Sequence, residues 1–389
     1  MTRTSGRLAR LPGYPLADVP RIRRELAAAG VDVIDLGAGD ADLAPPPAAV
    51  AALREAVGDP AFSRYPFQLG LPAFRAAVAR FMARRFGVEV DPLHEVLPLI
   101  GSKEGITHLG LALLDPGDVV VLPDPGYQAY RGGAVLAGAD PHPVALRPEN
   151  DFLIPLDGLD PAIRDRIRML VLNYPNNPTA AEAPPEYLRA AIAACAEWDA
   201  TLVHDHAYSE IAFDGYRPPS ILEFEGARER AIEFHSLSKT FNMTGWRLGW
   251  AVGNRDLIAA LSRVKTFTDT GAFLAVQSAG AAALDDADGW VAGNVEVFRT
   301  RRDAAVEAFR AAGFEVRSPR ATMYLWIPVP GGEPSEAFAR RALVEEGVVV
   351  LPGASLGEGG EGFFRIALTS EPARLAEAAR RLGRVARSD

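Results

Sequence analysis

The chemistry in this sequence gathers around one lysine. Lys239 sits in the stretch Ser236-Leu237-Ser238-Lys239-Thr240, which runs on to Arg247-Leu248-Gly249. A short apolar run, Ala231 to Phe234, precedes it and reads as a buried strand. A lysine just past a strand end, in a polar loop, is suited to forming a Schiff base. Ser236 and Arg247 flank it as hydroxyl and guanidinium, both natural phosphate ligands. Together these residues point to pyridoxal phosphate (PLP) held covalently by Lys239. An ordinary solvated lysine on a surface loop is the plainer alternative, and this stretch alone leaves it open.

Other stretches carry chemistry of the same kind. The run Val96 to Ile100 leads into Gly101-Ser102-Lys103-Glu104-Gly105 and an apolar helix through Leu114. A strand, a Gly-Ser turn and a helix N-terminus form an anion site, because free N–H groups and the helix dipole both favour phosphate. The spacing matches neither the Walker pattern nor G-x-G-x-x-G. Gly37-Ala38-Gly39-Asp40 is a glycine turn that lets backbone approach a ligand, though by itself it also fits a simple turn before the Pro45-Pro46-Pro47 helix start.

These stretches need a scaffold, and a repeated pattern supplies it. Val119 to Leu122 is followed by Asp124-Pro125-Gly126-Tyr127. Met169 to Leu172 is followed by Asn173 to Thr179. Thr201 to His204 is followed by Asp205-His206-Ala207-Tyr208. Helical segments such as Pro72 to Phe86 and Pro185 to Trp198 lie between. Short apolar strands alternating with helices argue for an α/β fold, a mostly parallel sheet covered on both faces. Ligands bind such sheets beyond the carboxyl ends of the strands. Tyr127, Asn177, Asp205, Tyr208 and Lys239 all fall at those ends. His204 and His206 bracket Asp205 without a metal-ligand spacing, so no metal is expected there.

The rest of the chain frames this region. An N-terminal arm, residues 1–44, includes an expected helix from Asp18 to Ala29 and a strand from Val31 to Leu36. A large domain is expected over residues 45–285. After Asp256 the sequence turns helical, with a long helix over Asp285 to Ala312. Expected strands at Glu315-Val316, Met323 to Ile327, Val348 to Leu351 and Phe363 to Leu368, with helices Ser335 to Glu346 and Glu371 to Ala386, make a smaller α+β domain over residues 286–389, with which the arm packs. The net charge of −9 argues against a nucleic-acid surface. The lone Cys195, at helical spacing among apolar residues, reads as core and leaves no disulfide framework. Without an N-terminal apolar segment or a bilayer-length apolar run, a soluble cytoplasmic protein is expected.

Across nearly the whole chain the sequence resembles the fold-type I PLP-dependent aminotransferases of class I/II. Gly101 to Gly105, Asn173 to Thr179 and Ser236 to Gly249 carry that resemblance. Within the family it looks most like the LL-diaminopimelate and N-succinyl-diaminopimelate aminotransferases of bacterial lysine synthesis, on Val33 to Gly37, Phe213 to Pro219 and Ala321 to Trp326. The resemblance implies roles. Lys239 would hold PLP and then move the proton between the substrate Cα and the cofactor. Asp205 would pair with the pyridine nitrogen. Tyr208 and Asn177 would hydrogen-bond the ring's phenolic oxygen, and Tyr127 would stack on the ring. Ser102, Lys103, Ser236 and Arg247 would bind the phosphate. Tyr65 would reach the phosphate of a neighbouring subunit, which implies a homodimer with shared sites. Arg365 would clamp the substrate α-carboxylate, helped by the Gly39 backbone and the Asn177 amide.

The implied reaction moves an amino group between such an amino acid and 2-oxoglutarate or glutamate. Rival readings are an aminotransferase for aspartate, alanine or aromatic amino acids, a PLP-dependent carbon–sulfur lyase, and a non-catalytic PLP-binding regulator. The sequence also departs from the family pattern. Ala180 stands where glycine usually follows Asn-Pro-Thr, Ala41 where proline usually follows Gly-Asp, and Phe267 where relatives often carry a polar residue. No second arginine for a distal carboxylate is identifiable.

Overall fold

The computed structural model describes residues 3–11, 13, 19–67 and 69–387. In chain order its strands are β1 (Ile34–Asp35), β2 (Val96–Leu99), β3 (Val119–Asp124), β4 (Asp140–Ala145), β5 (Ile167–Leu172), β6 (Thr201–Asp205), β7 (Ala231–Ser236), β8 (Gly249–Gly253), β9 (Tyr324–Pro328), β10 (Val348–Val349), β11 (Leu351–Pro352) and β12 (Phe363–Ala367). Seven of them form one sheet in the order β2-β8-β7-β6-β5-β3-β4. Within that sheet only β8 runs antiparallel to its neighbours, β2 and β7. The mostly parallel sheet expected from the sequence is therefore present.

Both faces of this sheet are buried, which is why its strands read as unbroken apolar runs rather than alternating ones. Successive side chains point to opposite faces. Val119 and Val121 join the core packed by helices Pro72–Phe86, Pro185–Glu197 and Leu274–Asp285. Val120 and Leu122 join the core packed by helices Ser102–Leu113, Gln128–Ala137 and Arg255–Thr268. Cys195 is buried in the first of these cores, as expected.

β4 was not foreseen. Its sequence, Asp140 to Ala145, carries Pro141 and Pro143, and proline cannot donate to a ladder. It forms because it is the edge strand, paired on one side only, to β3. The helix Gln128–Ala137, which crosses from β3 to β4, was likewise not anticipated.

A further core holds Phe298, Phe309, Leu325, Ile327, Phe338, Phe364, Ile366, Leu375 and Leu382. Its sheet is antiparallel, in the order β11-β12-β9. Ile34 and Leu36 belong to this core, and β1 pairs in parallel with β10. Tyr208, Ile211 and Phe213, just beyond β6, also reach into it. The expected strand Val348 to Leu351 is split: Val348–Val349 pairs with β1, while Leu351–Pro352 pairs with β12. Glu315 and Val316 form no strand. The helix expected from Asp18 spans Val19–Ala28, and Asp18 itself lies outside the described residues.

A buried arginine ties the pieces together. Arg301, on the long helix Ala287–Ala311, makes a bidentate pair with Asp42 at 2.7 and 2.8 Å and reaches Glu371 at 3.0 Å. The fork geometry of guanidinium suits this clamp. It fixes the segment after the glycine turn against the helix Pro372–Val385. Among the described residues no helix is long and apolar enough to cross a membrane.

Candidate active site

A cavity of about 560 Å³ opens beyond the carboxyl ends of the central strands. Gly39, Ser102, Lys103, Tyr127, Asn177, Asp205, Tyr208, Ser236, Lys239, Arg247 and Arg365 all line it. These residues come from segments up to 326 positions apart (Gly39 to Arg365) in the chain. Tyr65 does not line it. Its ring is 74% exposed on a surface loop, 6.1 Å from that of Phe67.

One end of the cavity is cationic. Gly101, at φ +73°, turns the chain into the helix Ser102–Leu113, and any side chain there would collide with the Arg247 guanidinium. Arg247 Nη1 donates to the Thr244 carbonyl at 2.8 Å. Burial, with Arg247 nearby, pushes the Lys103 ammonium below its ordinary value. Its Nζ lies 5.4 Å from the centre of the Tyr127 ring. Two cations beside an open helix N-terminus repel one another unless an anion lies between them. The Ser236 hydroxyl closes this end and accepts from the Ser238 amide at 3.1 Å.

A buried carboxylate forms the floor. Asp205 ends β6, and Tyr130 donates its hydroxyl to Oδ2 at 2.7 Å. Asn173 Nδ2 donates to the Asp205 carbonyl at 2.8 Å. Oδ1 is buried and has no partner. Burial raises the Asp205 carboxyl above its ordinary value, against the lowering effect of the Tyr130 hydrogen bond. An unpartnered buried carboxylate oxygen is costly, so this atom can take a hydrogen-bond donor from a bound group.

Behind the floor lies a polar cluster. Glu233 accepts from the Ser220 hydroxyl and the Ile221 amide, both at 2.8 Å, and contacts His204 Nδ1 at 2.8 Å and His235 Nε2 at 2.7 Å. His204 Nε2 faces the Tyr174 carbonyl at 3.0 Å. His206 stacks on His204 at 4.6 Å, and burial drives its imidazole down to about 3. His204, His206 and Glu233 stand close enough to share a metal ion, but Glu233 is already engaged by four protein donors.

Lys239, Arg365, Tyr208 and Tyr324 line the same cavity. Lys239 Nζ donates to the Gly39 carbonyl. Arg365 is 5% exposed and donates to Asn177 Oδ1 at 2.7 Å and to the Gly37 carbonyl at 2.8 Å. Its guanidinium lies 4.1 Å from the centre of the Tyr324 ring. The Tyr324 and Tyr208 hydroxyls are 3.0 Å apart. Burial raises Tyr208 well above its ordinary value. Tyr324, against the same effect of burial, is held below it by Arg365, Lys239 and the Tyr208 hydrogen bond.

Several lining residues were not anticipated. Tyr130 follows Tyr127 by three positions on the helix Gln128–Ala137, a spacing that places both rings on one side. Asn173 opens the Asn173 to Thr179 motif, and its Oδ1 accepts from the Asn177 backbone amide at 2.9 Å and fixes that loop. Tyr324 carries no site signal in the sequence and lines the cavity. Arg23, on the N-terminal helix, gave no signal in the sequence and also lines the cavity.

Residues 31–382 match the family model described as "Aminotransferase class I and II". The chain belongs to this aminotransferase family. An LL-diaminopimelate aminotransferase of Desulforudis audaxviator is 49% identical over 376 residues, covering 97% of this chain and 96% of the relative. That of Aquifex aeolicus is 46% identical over 378 residues, covering 97% and 98%. Among solved structures, substrate-bound BacF from Bacillus subtilis superposes with a TM-score of 0.94 at 34% identity, over 99% of this chain and 98% of that one. A probable N-succinyldiaminopimelate aminotransferase from Thermus thermophilus gives 0.90 at 39% identity, over 94% and 98%. The fold-type I architecture and the transaminase class expected from the sequence are thus established for this aminotransferase.

Proposed function

We propose that this aminotransferase uses pyridoxal phosphate to move an amino group between a diaminopimelate-type amino acid and 2-oxoglutarate, with glutamate as the other amino acid of the pair. Relatives 46–49% identical over 97% of the chain carry the LL-diaminopimelate name, and this supports the substrate class. The observation that carries the cofactor is the buried, unpartnered Oδ1 of Asp205 on the wall of the cavity that Lys239 also lines.

The residues present fit PLP. Bound there, PLP supplies an electron sink for the charge left when a proton leaves the substrate Cα. Asp205, kept ionised, holds a proton at the ring nitrogen. Tyr208 and Asn177 serve the phenolic oxygen, and Tyr127 covers the ring face. Ser102, Lys103, Ser236, Arg247 and the helix N-terminus hold the phosphate. Lys239 attaches the cofactor and then carries the proton to and from Cα. Arg365 takes the α-carboxylate in a bidentate grip that lysine could not reproduce, with the Asn177 amide and the Gly39 backbone beside it. The large domain spans residues 45–285 and the small domain 286–389, with residues 1–44 as an arm.

Tyr65 serves a second copy of the chain in a cytoplasmic homodimer. Exposed Tyr65, Phe67 and Leu69 on one segment, and Phe267 and Phe273 on another, support this reading. Gln277 joins the two segments by accepting from the Leu71 amide at 2.7 Å. Exposed large apolar side chains of this kind are the raw material of an interface.

The test is a half-reaction. Holoenzyme is mixed with LL-diaminopimelate, N-succinyl-LL-diaminopimelate, glutamate, aspartate, alanine or phenylalanine, without an acceptor, and the cofactor absorption is followed. Fastest conversion by a diaminopimelate supports the proposal. Conversion by the common amino acids alone removes the substrate class, and pyruvate release without an acceptor would indicate a lyase. Lys239→Ala is expected to leave a trace of turnover and no covalently held cofactor.

A further inference from the structure

Arg365 accounts for one carboxylate of a dicarboxylic substrate, and no partner for the second was legible in the sequence. The folded chain provides one. Val19 and Arg23, one turn apart on the helix Val19–Ala28, both line the active-site cavity. Arg23 Nη1 donates to Asp35 Oδ2 at 2.8 Å, and Asp35 Oδ1 accepts from the Gly37 amide at 3.0 Å. The Gly37 carbonyl in turn accepts from Arg365 Nη2 at 2.8 Å. The two guanidinium groups therefore flank one short backbone segment and face one cavity. Arg365 is buried, whereas the Arg23 side chain is 51% exposed.

Arg23 is also available. Its guanidinium has five N–H donors, and its hydrogen bond to Asp35 uses one of them among the described residues. Asp35 holds the side chain in place without consuming its fork. Asp40, exposed on the same cavity, makes no hydrogen bond to the described residues through its carboxylate. The cavity lining thus includes a cation held in place by Asp35 and a carboxylate open to a ligand.

We infer that Arg23 and Asp40 form the distal subsite for an extended amino-acid substrate, Arg23 receiving its distal carboxylate and Asp40 its distal ammonium. This rests on the proposed aminotransferase reading and narrows it to free LL-diaminopimelate. N-succinylation replaces the distal ammonium with a neutral amide and adds a carboxylate, which Asp40 repels.

Two pairs of donors isolate the two contacts. L-Lysine is diaminopimelate without the distal carboxylate, and 2-aminopimelate is diaminopimelate without the distal ammonium. In Arg23→Gln the kcat/KM ratio of LL-diaminopimelate to lysine is expected to fall about ten-fold or more, the scale of one charged hydrogen bond, with Arg23→Lys intermediate. In Asp40→Asn the ratio of LL-diaminopimelate to 2-aminopimelate falls instead. Calorimetry on the holoenzyme supplies a readout without turnover: Arg23→Gln weakens pimelate at least ten-fold relative to heptanoate. Equal effects on pimelate and heptanoate, or none, overturn the role of Arg23. A wild-type preference for N-succinyl-diaminopimelate overturns the role of Asp40. If no amino donor reacts at all, the proposed substrate reading falls, and the pimelate–heptanoate comparison still decides Arg23.

Discussion

Tyr130 donates its hydroxyl to one oxygen of Asp205 and leaves the other buried without a partner. That asymmetry sets what each residue does. Burial pushes the Asp205 carboxyl up, and the Tyr130 hydrogen bond opposes it. Tyr130→Phe removes the opposition, so the carboxyl moves further up and the acid limb of the kcat/KM pH profile shifts to higher pH. Asp205→Asn removes the charge itself. An electrostatic stabiliser is worth about 3–4 kcal/mol, so kcat is expected to fall about a hundred- to a thousand-fold. Near-normal turnover in Asp205→Asn would remove the ring-nitrogen role.

Lys265 is fully buried and bonds to Glu104 and to both oxygens of Asp269, at 2.9 and 3.0 Å. Glu104 Oε2 also accepts from the Ile100 amide, just before the turn into the anion site. Lys265→Met leaves two carboxylates facing each other without their cation. Breaking such a pair costs about 3 kcal/mol or more, and the turn at Gly101 loses its brace. The expected result is a lower Tm and faster cofactor release in a dilution experiment. An unchanged release rate would show that the brace does not reach the phosphate end.

Ala180 has φ +58°, a left-handed conformation that alanine resists and glycine accepts. Ala180→Gly should raise stability by about 1 kcal/mol or less, because relieved strain outweighs the added freedom of the unfolded chain. Denaturant melts of the apoprotein would read this. A loss of stability would mean that the Ala180 methyl contributes packing that exceeds its strain.

His206 is held neutral. Burial takes it from an ordinary 6.5 down to about 3. The unfolded chain therefore gains a proton near pH 6.5 and the folded chain does not. The stabilising contribution is complete above 6.5 and is lost as pH falls toward 3. At about 1.4 kcal/mol per pKa unit the loss amounts to several kcal/mol. Glu233 acts in the same direction at lower pH. Against its own burial, hydrogen bonds from the neighbouring imidazoles hold its carboxyl well down, so its contribution is lost below its ordinary 4.5. His206→Asn should flatten the fall in unfolding free energy between pH 6.5 and 4.5 and keep the steeper loss below. An identical slope in the two proteins would contradict a neutral His206.

The sequence alone determined what depends on local pattern. Continuous apolar runs such as Val119 to Leu122 required a sheet buried on both faces, because only that environment accepts side chains on both sides of a strand. Turn residues after those runs placed Tyr127, Asn177, Asp205 and Lys239 at strand ends, and strand ends of a parallel sheet converge on one cavity. The tertiary structure decided what depends on neighbours distant in the chain. β4 exists because an edge position tolerates its prolines. Val348 to Pro352 splits between two sheets because β1 and β12 compete for it from opposite ends of the sequence. Tyr130 reaches Asp205 across 75 residues, Tyr324 reaches Tyr208 across 116, and Arg23 enters the cavity from a helix with no motif around it. No spacing rule encodes these contacts, since each arises from the packing of a whole element rather than from the residues beside it.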